Sequence, residues 1–138
     1  MTGGSRCGDR APMANAGETI TDPITGERCH WLVTAAQTGG RHVRAEWWAP
    51  PGTGARAPHV HRVSEERLEV LAGQLTVVRG GERLVLGAGD GVRLPARVPH
   101  AWWNEGAGEV HLVIEISPAG HFEDAVDASF TPSPRSTP

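Results

Sequence analysis

His59-Val60-His61 is the first place in this sequence where side chains of matching chemistry stand at a useful spacing. In an extended strand, residues i and i+2 point to one face, about 6.6 Å apart along the chain. Two imidazoles placed so can converge on one cation through bonds of about 2.1 Å. Glu66 opens the next extended run, in which Glu66, Leu68 and Val70 share a face. His100 opens a later run and shares its face with Trp102 and Asn104. If these faces line one interior, three imidazoles and one carboxylate meet at a point.

Composition limits what else can act there. All 13 basic residues are arginine and there is no tyrosine, so proton transfer falls to His, Glu, Asp, Cys or a metal-bound water. The arginines stand singly from Arg6 to Arg135 and the net charge is -3, which argues against a nucleic-acid partner. No run approaches the roughly 18 apolar residues of a membrane span. Arg6 and Arg10 are followed by no apolar stretch, unlike a secretory signal. A soluble, cytoplasmic protein is the expectation. Cys7 and Cys29 are too few for a disulfide framework and wrongly spaced for zinc.

The elements that must position these groups are short. The 138 residues give room for one domain. Residues 1–24, rich in Gly, Ala, Thr, Asp and Asn without period, read as a flexible leader or an arm. Residues 131–138 carry three prolines and read as a disordered tail. Between them, residues 25–130 show strand-like runs at 29–36, 42–49, 66–71 and 75–79. The last turns at Gly80-Gly81 into 82–86, and further runs follow at 92–94, 100–104 and 110–117. A single helical turn is expected around residues 122–128. With no long helix, the class is all-β, a sandwich or barrel.

The spacing of the chemistry-bearing residues resembles a known family. His59, His61, Glu66 and Gly73 stand at the offsets of the first cupin motif; Gly89, Pro95, His100 and Asn104 stand at those of the second. Two positions depart from it. Arg97 replaces the glycine expected two residues after the proline, and Thr53 sits where the leading glycine belongs, between Gly52 and Gly54. The motifs cover residues 52–104, and the strand rhythm extends the likeness to about 28–118. The chain thus resembles a single-domain metal-binding cupin. That resemblance implies a double-stranded β-helix, or jelly-roll barrel, holding one divalent transition metal (Fe, Mn, Ni, Co, Cu or Zn) and no organic cofactor. It also implies that His59, His61, Glu66 and His100 are the ligands, and that Gly73, Gly89 and Pro95 serve turns.

Around that site, alternation places Trp102 inward beside His100 and Trp103 outward. The run at 42–49 offers two faces, one of Val43, Ala45 and Trp47, the other of Arg44, Glu46 and Trp48, and either can line the interior. If the second does, Trp48 and Arg44 contact substrate, Arg44 pairs with an anionic group, and Glu46 joins Glu66 as a catalytic residue. Leu68, Val70 and Trp102, with Asn104, suggest an inner wall suited to a small apolar or aromatic molecule. His30, His42, His111 and His121 lie outside the motifs. The expected activity is that of a metal-dependent cupin enzyme, with dioxygenase chemistry the favoured form. The alternatives are a cyclase or isomerase, similar to stand-alone cupins of aromatic polyketide pathways and using the metal as a Lewis acid, and a non-catalytic small-molecule-binding module. The partners expected are that small molecule and a second copy of the chain, paired through outward residues such as Trp103 and Leu71.

Overall fold

Alternation of buried and exposed side chains makes the strands. In the run Glu65–Ala72, Glu66, Leu68 and Val70 are buried while Arg67, Glu69 and Leu71 are exposed. In Val43–Ala49, Val43, Ala45, Trp47 and Ala49 are buried, and Arg44, Glu46 and Trp48 face outward. The computed structural model describes residues 14–130. The N-terminal part of the leader (1–13), with Cys7, and the tail (131–138) lie outside the described residues.

In chain order the strands are β1 (Thr19–Thr21), β2 (Arg28–Val33), β3 (Val43–Ala49), β4 (Gly54–His59) and β5 (Glu65–Ala72), then β6 (Leu75–Arg79), β7 (Glu82–Leu86), β8 (Gly91–Leu94), β9 (His100–Trp103) and β10 (Val110–Ser117). A short α1 (Ala35–Thr38) follows β2, and α2 (Phe122–Phe130) follows β10. Every pairing is antiparallel. One sheet has six strands in the order β1-β2-β3-β10-β5-β8, the other four in the order β4-β9-β6-β7. This is the all-β jelly-roll architecture expected.

The inner faces of the two sheets form one core around Trp31, Trp47, Leu75, Val77, Trp102, Leu112, Ile114 and Ile116. Full burial of each such side chain stabilises by roughly 1.5–3 kcal/mol or more. Helix α2 adds Val126 and Phe130 to that core. Among the described residues, no helix is long and apolar enough to cross a membrane.

Four local features differ from the sequence reading. Thr19–Thr21, inside the stretch read as a flexible leader or an arm, forms a strand where none was read and pairs with β2 at the edge of the larger sheet. The run at 29–36 stops at Val33, because Thr34 caps α1: its Oγ1 accepts from Gln37 N at 3.3 Å, and the Gln37 side chain accepts from Thr34 N at 2.9 Å. Strand β4 was unforeseen: Gly-Ala-Arg-Ala-Pro-His has no β-branched residue, and Pro58 cannot donate to a ladder. It survives as an edge strand whose register with β9 shifts between Ala55 and His59. The expected single turn at 122–128 is a helix of nine residues.

Gly73 turns β5 into β6 at φ +88°, and a Cβ there would lie 2.7 Å from the Glu109 carbonyl oxygen and 3.0 Å from Val110 Cα. Gly89 has a similar φ of +92° but open space around it. Strain and backbone overlap together should cost Gly73→Ala roughly 2–4 kcal/mol, and Gly89→Ala, strain alone, about 1 kcal/mol. At about 2–4 °C per kcal/mol, thermal unfolding should separate the two variants clearly.

Candidate metal centre

Strand β4 ends on His59, which lies opposite His100 at the start of β9. His61 lies beyond the end of β4, so the two histidines do not share one strand as their spacing had implied. The loop carrying His61 is held from the other side: Arg97 N donates to the His61 carbonyl at 2.7 Å. Arg97 makes that turn at φ +70°, the left-handed conformation that a glycine at this position would adopt without strain. Glu66 arrives from the opposite sheet, on the inner face of β5, and is 3% exposed.

The four side chains meet. Ring centroids are 4.3 Å apart for His59 and His100, 5.1 Å for His61 and His100, and 5.4 Å for His59 and His61. Glu66 Oε1 lies 3.1 Å from His100 Nε2 and 3.2 Å from His61 Nε2. One donor atom from each residue falls within 4.8 Å of all the others. Donors bound at about 2.1 Å to one ion stand about 3–4.2 Å from each other, so side-chain adjustment alone suffices to close the set. The second contacts of two rings fit the same purpose. Nδ1 of His59 donates to the Ala57 carbonyl and Nδ1 of His100 to the Val98 carbonyl, both at 3.1 Å, which leaves Nε2 of each ring as the ligand atom. Three imidazoles and a carboxylate suit a divalent first-row transition metal.

The charges respond to one another. Burial pushes the Glu66 carboxyl up, but hydrogen bonds from His100 and His61, and their charge, hold it below its ordinary value. Burial also works against the His100 imidazolium, yet the hydrogen bond to Glu66 and its charge raise His100 above its ordinary value. For His59, burial dominates and lowers it, so this ring stays neutral and ready to ligate.

Beside this cluster lies a cavity of about 310 Å3, lined by His59, His61 and Glu66 on one flank. Its other walls are Trp47, Trp102, Ile114 and the α2 residues Phe122, Val126 and Phe130, with Glu27 as a further acidic residue. Trp102 is where alternation placed it, edge-on to Trp47 at 6.0 Å; Trp47 also meets Phe130 at 5.2 Å.

Several expected site residues lie elsewhere. Arg44, Glu46 and Trp48 occupy the outer face of β3, because Trp47 takes the inner one. There Arg44 approaches Glu115 at 4.0 Å, and Glu46 pairs with His111 Nε2 at 2.9 Å, so neither reaches the metal cluster. Trp48 stacks on His111 at 4.5 Å and lies under Arg28 at 4.6 Å. Leu68 and Val70 are on the inner face as read, but they are buried in the core and do not line the cavity. Asn104 is fully buried for another reason. Its Nδ2 donates to the carbonyls of Ala49 (2.8 Å) and Gly108 (2.7 Å) and its Oδ1 accepts from Gly106 N (2.8 Å), tying the loop after β9 to the end of β3. Trp103 points outward, with Arg56 and Arg83 guanidinium groups 5.2 and 5.8 Å from its ring.

The wall residues the sequence reading missed are Glu27, Gly54, Ala55, Ile114 and the α2 set. Ile114 was visible in the alternation of β10, but nothing local in 122–130 marks the helix as a cover for the cavity.

The pH dependence follows from these charges. The stabilisation His100 gains from its partner is full below its ordinary value of 6.5 and is lost as pH rises through the raised folded value. That of Glu66 is present above 4.5 and is lost as pH falls through the depressed one. Metal-free protein should therefore lose stability on the alkaline side of pH 6.5, and Glu66→Gln should flatten that slope in calorimetric unfolding. A bound cation must displace the His100 proton, so calorimetric titration in buffers of different ionisation enthalpy should show proton release and affinity rising with pH. Glu66→Gln should weaken metal binding by at least the roughly 10–100-fold that follows loss of a supporting partner.

Comparison with known proteins agrees with this geometry. The sequence pattern of the cupin domain matches residues 46–116. No curated protein matches the chain. A structure from Thermus thermophilus is 29% identical over 58% of this chain and 75% of its own, with a TM-score of 0.55. An RmlC-like cupin from Shewanella frigidimarina is 25% identical over 75% of this chain and 86% of its own, with a TM-score of 0.61. A predicted oxalate decarboxylase from Thermotoga maritima shares the fold at 19% identity, covering 75% of this chain and 92% of its own, with a TM-score of 0.64. With the family pattern spanning both ligand motifs and the two sheets closing around them, this chain belongs to the cupin family.

Proposed function

We propose that this cupin is a metal-dependent enzyme that oxidises a small apolar or aromatic molecule, with dioxygen as co-substrate. The observation that carries this reading is the contrast between the two sides of the cavity. One flank is the ligand cluster of His59, His61 and Glu66, backed by His100. Among the described residues, the rest of the wall is largely apolar, with Glu27 its one further acidic group. Both Glu27 oxygens accept hydrogen bonds, from Trp47 Nε1 at 2.9 Å and Thr25 Oγ1 at 3.0 Å, and the Ser129 hydroxyl donates to the Val126 carbonyl. A cyclisation or isomerisation would need a proton-transfer group at the substrate, and outside the ligand set the described wall offers only Glu27, already bonded to Trp47 and Thr25.

A redox-active metal held there would supply coordination positions at which oxygen and substrate are brought together. The chain's own share is positioning. Trp47, Trp102 and Phe130 hold a flat molecule against the cluster, and α2 forms one wall of the cavity. Glu66 contributes the negative charge that offsets part of the cation's.

Elemental analysis of protein purified without a chelating step, followed by oxygen-electrode assays with a panel of small aromatic compounds, checks this. Iron at about one per chain and substrate-dependent oxygen uptake, abolished in His100→Ala, are the expected results. Stoichiometric zinc with no oxygen uptake after reconstitution with iron, manganese, nickel, cobalt or copper would remove the proposal. Phe130→Ala, which opens the wall, should raise KM more than it lowers kcat.

A further inference from the structure

Glu27 has no place in the chemistry derived so far, yet it is 6% exposed and lines the same cavity as the ligand cluster. A carboxylate placed against an apolar wall costs several kcal/mol unless its oxygens are well supplied with donors. It can accept about four hydrogen bonds, and among the described residues two are supplied, by Trp47 and Thr25. Among the described residues, no arginine lines the cavity to take up the remainder.

Its position along the barrel adds the second half of the argument. On β10, Ile116 lies level with Glu66, and Leu112 lies level with Trp47, the residue bonded to Glu27. Four residues of strand separate those levels by about 13 Å. The ligand cluster and the partner of Glu27 thus sit at different levels of one cavity, with the rings of Trp47, Trp102 and Phe130 among its walls.

Resting on the oxidative reading above, we infer that Glu27 is the specificity-determining residue. It selects a substrate carrying a hydrogen-bond donor (a phenolic hydroxyl, a ring N–H or an amine) on the end remote from the metal ligands. Glu27 takes no part in bond breaking. It accepts the substrate's donor and so fixes which end of a flat molecule faces the cluster. A purely structural Glu27, anchoring Trp47 and the 22–27 turn, would give no preference for donors.

Calorimetric titration of the protein as purified with matched probes separates these possibilities. The pairs are 2-naphthol against 2-methoxynaphthalene, and indole against 1-methylindole, equal in ring system but differing in the donor. The donor-bearing member should bind about 10–100-fold more tightly, the range expected for one hydrogen bond to a charged acceptor. In Glu27→Gln, with the neutral amide still able to bond Trp47, the preference should shrink by about ten-fold while metal content stays unchanged. Equal affinities within both pairs for the unsubstituted protein, or no binding of either member, overturn the inference without any variant needing to fold. A preference undiminished in Glu27→Gln overturns it as well. The two readings fail separately: donor preference without oxygen uptake removes only the oxidative activity, and oxygen uptake without donor preference removes only the role of Glu27.

Discussion

A carboxylate 3% exposed in the interior of a β-barrel has to be compensated where it stands. Glu66 meets that constraint with His100 and His61, whose Nε2 atoms lie 3.1 and 3.2 Å from its Oε1. The compensation comes from the other sheet and from the loop that leaves it, since Glu66 is on β5 and the histidines are on β9 and beyond β4. The site is therefore also a clasp between the two sheets. Its ionic balance can be kept by protons on imidazole or by a cation in their place, which links metal binding to pH and to folding.

The same closure explains how the two faces of β3 divide. Inward, Trp47 takes part in the cavity wall with Trp102 and Phe130. Outward, Glu46, Trp48, His111, Arg28 and Glu109 satisfy one another through ion pairs and ring stacking at 2.9 to 4.6 Å, away from the cavity. A one-residue slip in register would exchange these sets, placing charge in the core and tryptophan in water. The apolar wall is thus as much a product of sheet register as of composition. Helix α2 then supplies Phe122, Val126 and Phe130, which turn a hollow on the inner face into a cavity.

Part of this was legible in order along the chain. The all-strand class, the Gly80-Gly81 hairpin, and the burial of Glu66, Leu68 and Val70 on one face follow from period-two alternation and turn residues, which are local properties. So does the offset pattern of His59, His61, Glu66 and His100. Strand β4 escaped notice because it is an edge strand, paired with β9 on one side, with little strand propensity of its own. The departure at Arg97 left the local loop shape open, and the backbone there is left-handed despite the missing glycine.

The sequence alone determined the donor types and their spacing, because ligand chemistry and strand period belong to residues and their near neighbours. Tertiary structure decided the rest. Alternation assigns two faces to β3 without saying which is inside; packing against Trp102 and Phe130 settled it for Trp47 and sent Arg44, Glu46 and Trp48 outward. Asn104 reads as a wall residue by alternation, but three backbone groups take up its amide. Glu27 became a cavity residue only because β2 lies beside β3 and brings it to the Trp47 indole. Such contacts join positions far apart in the chain, and their energies exist only once the sheets have closed.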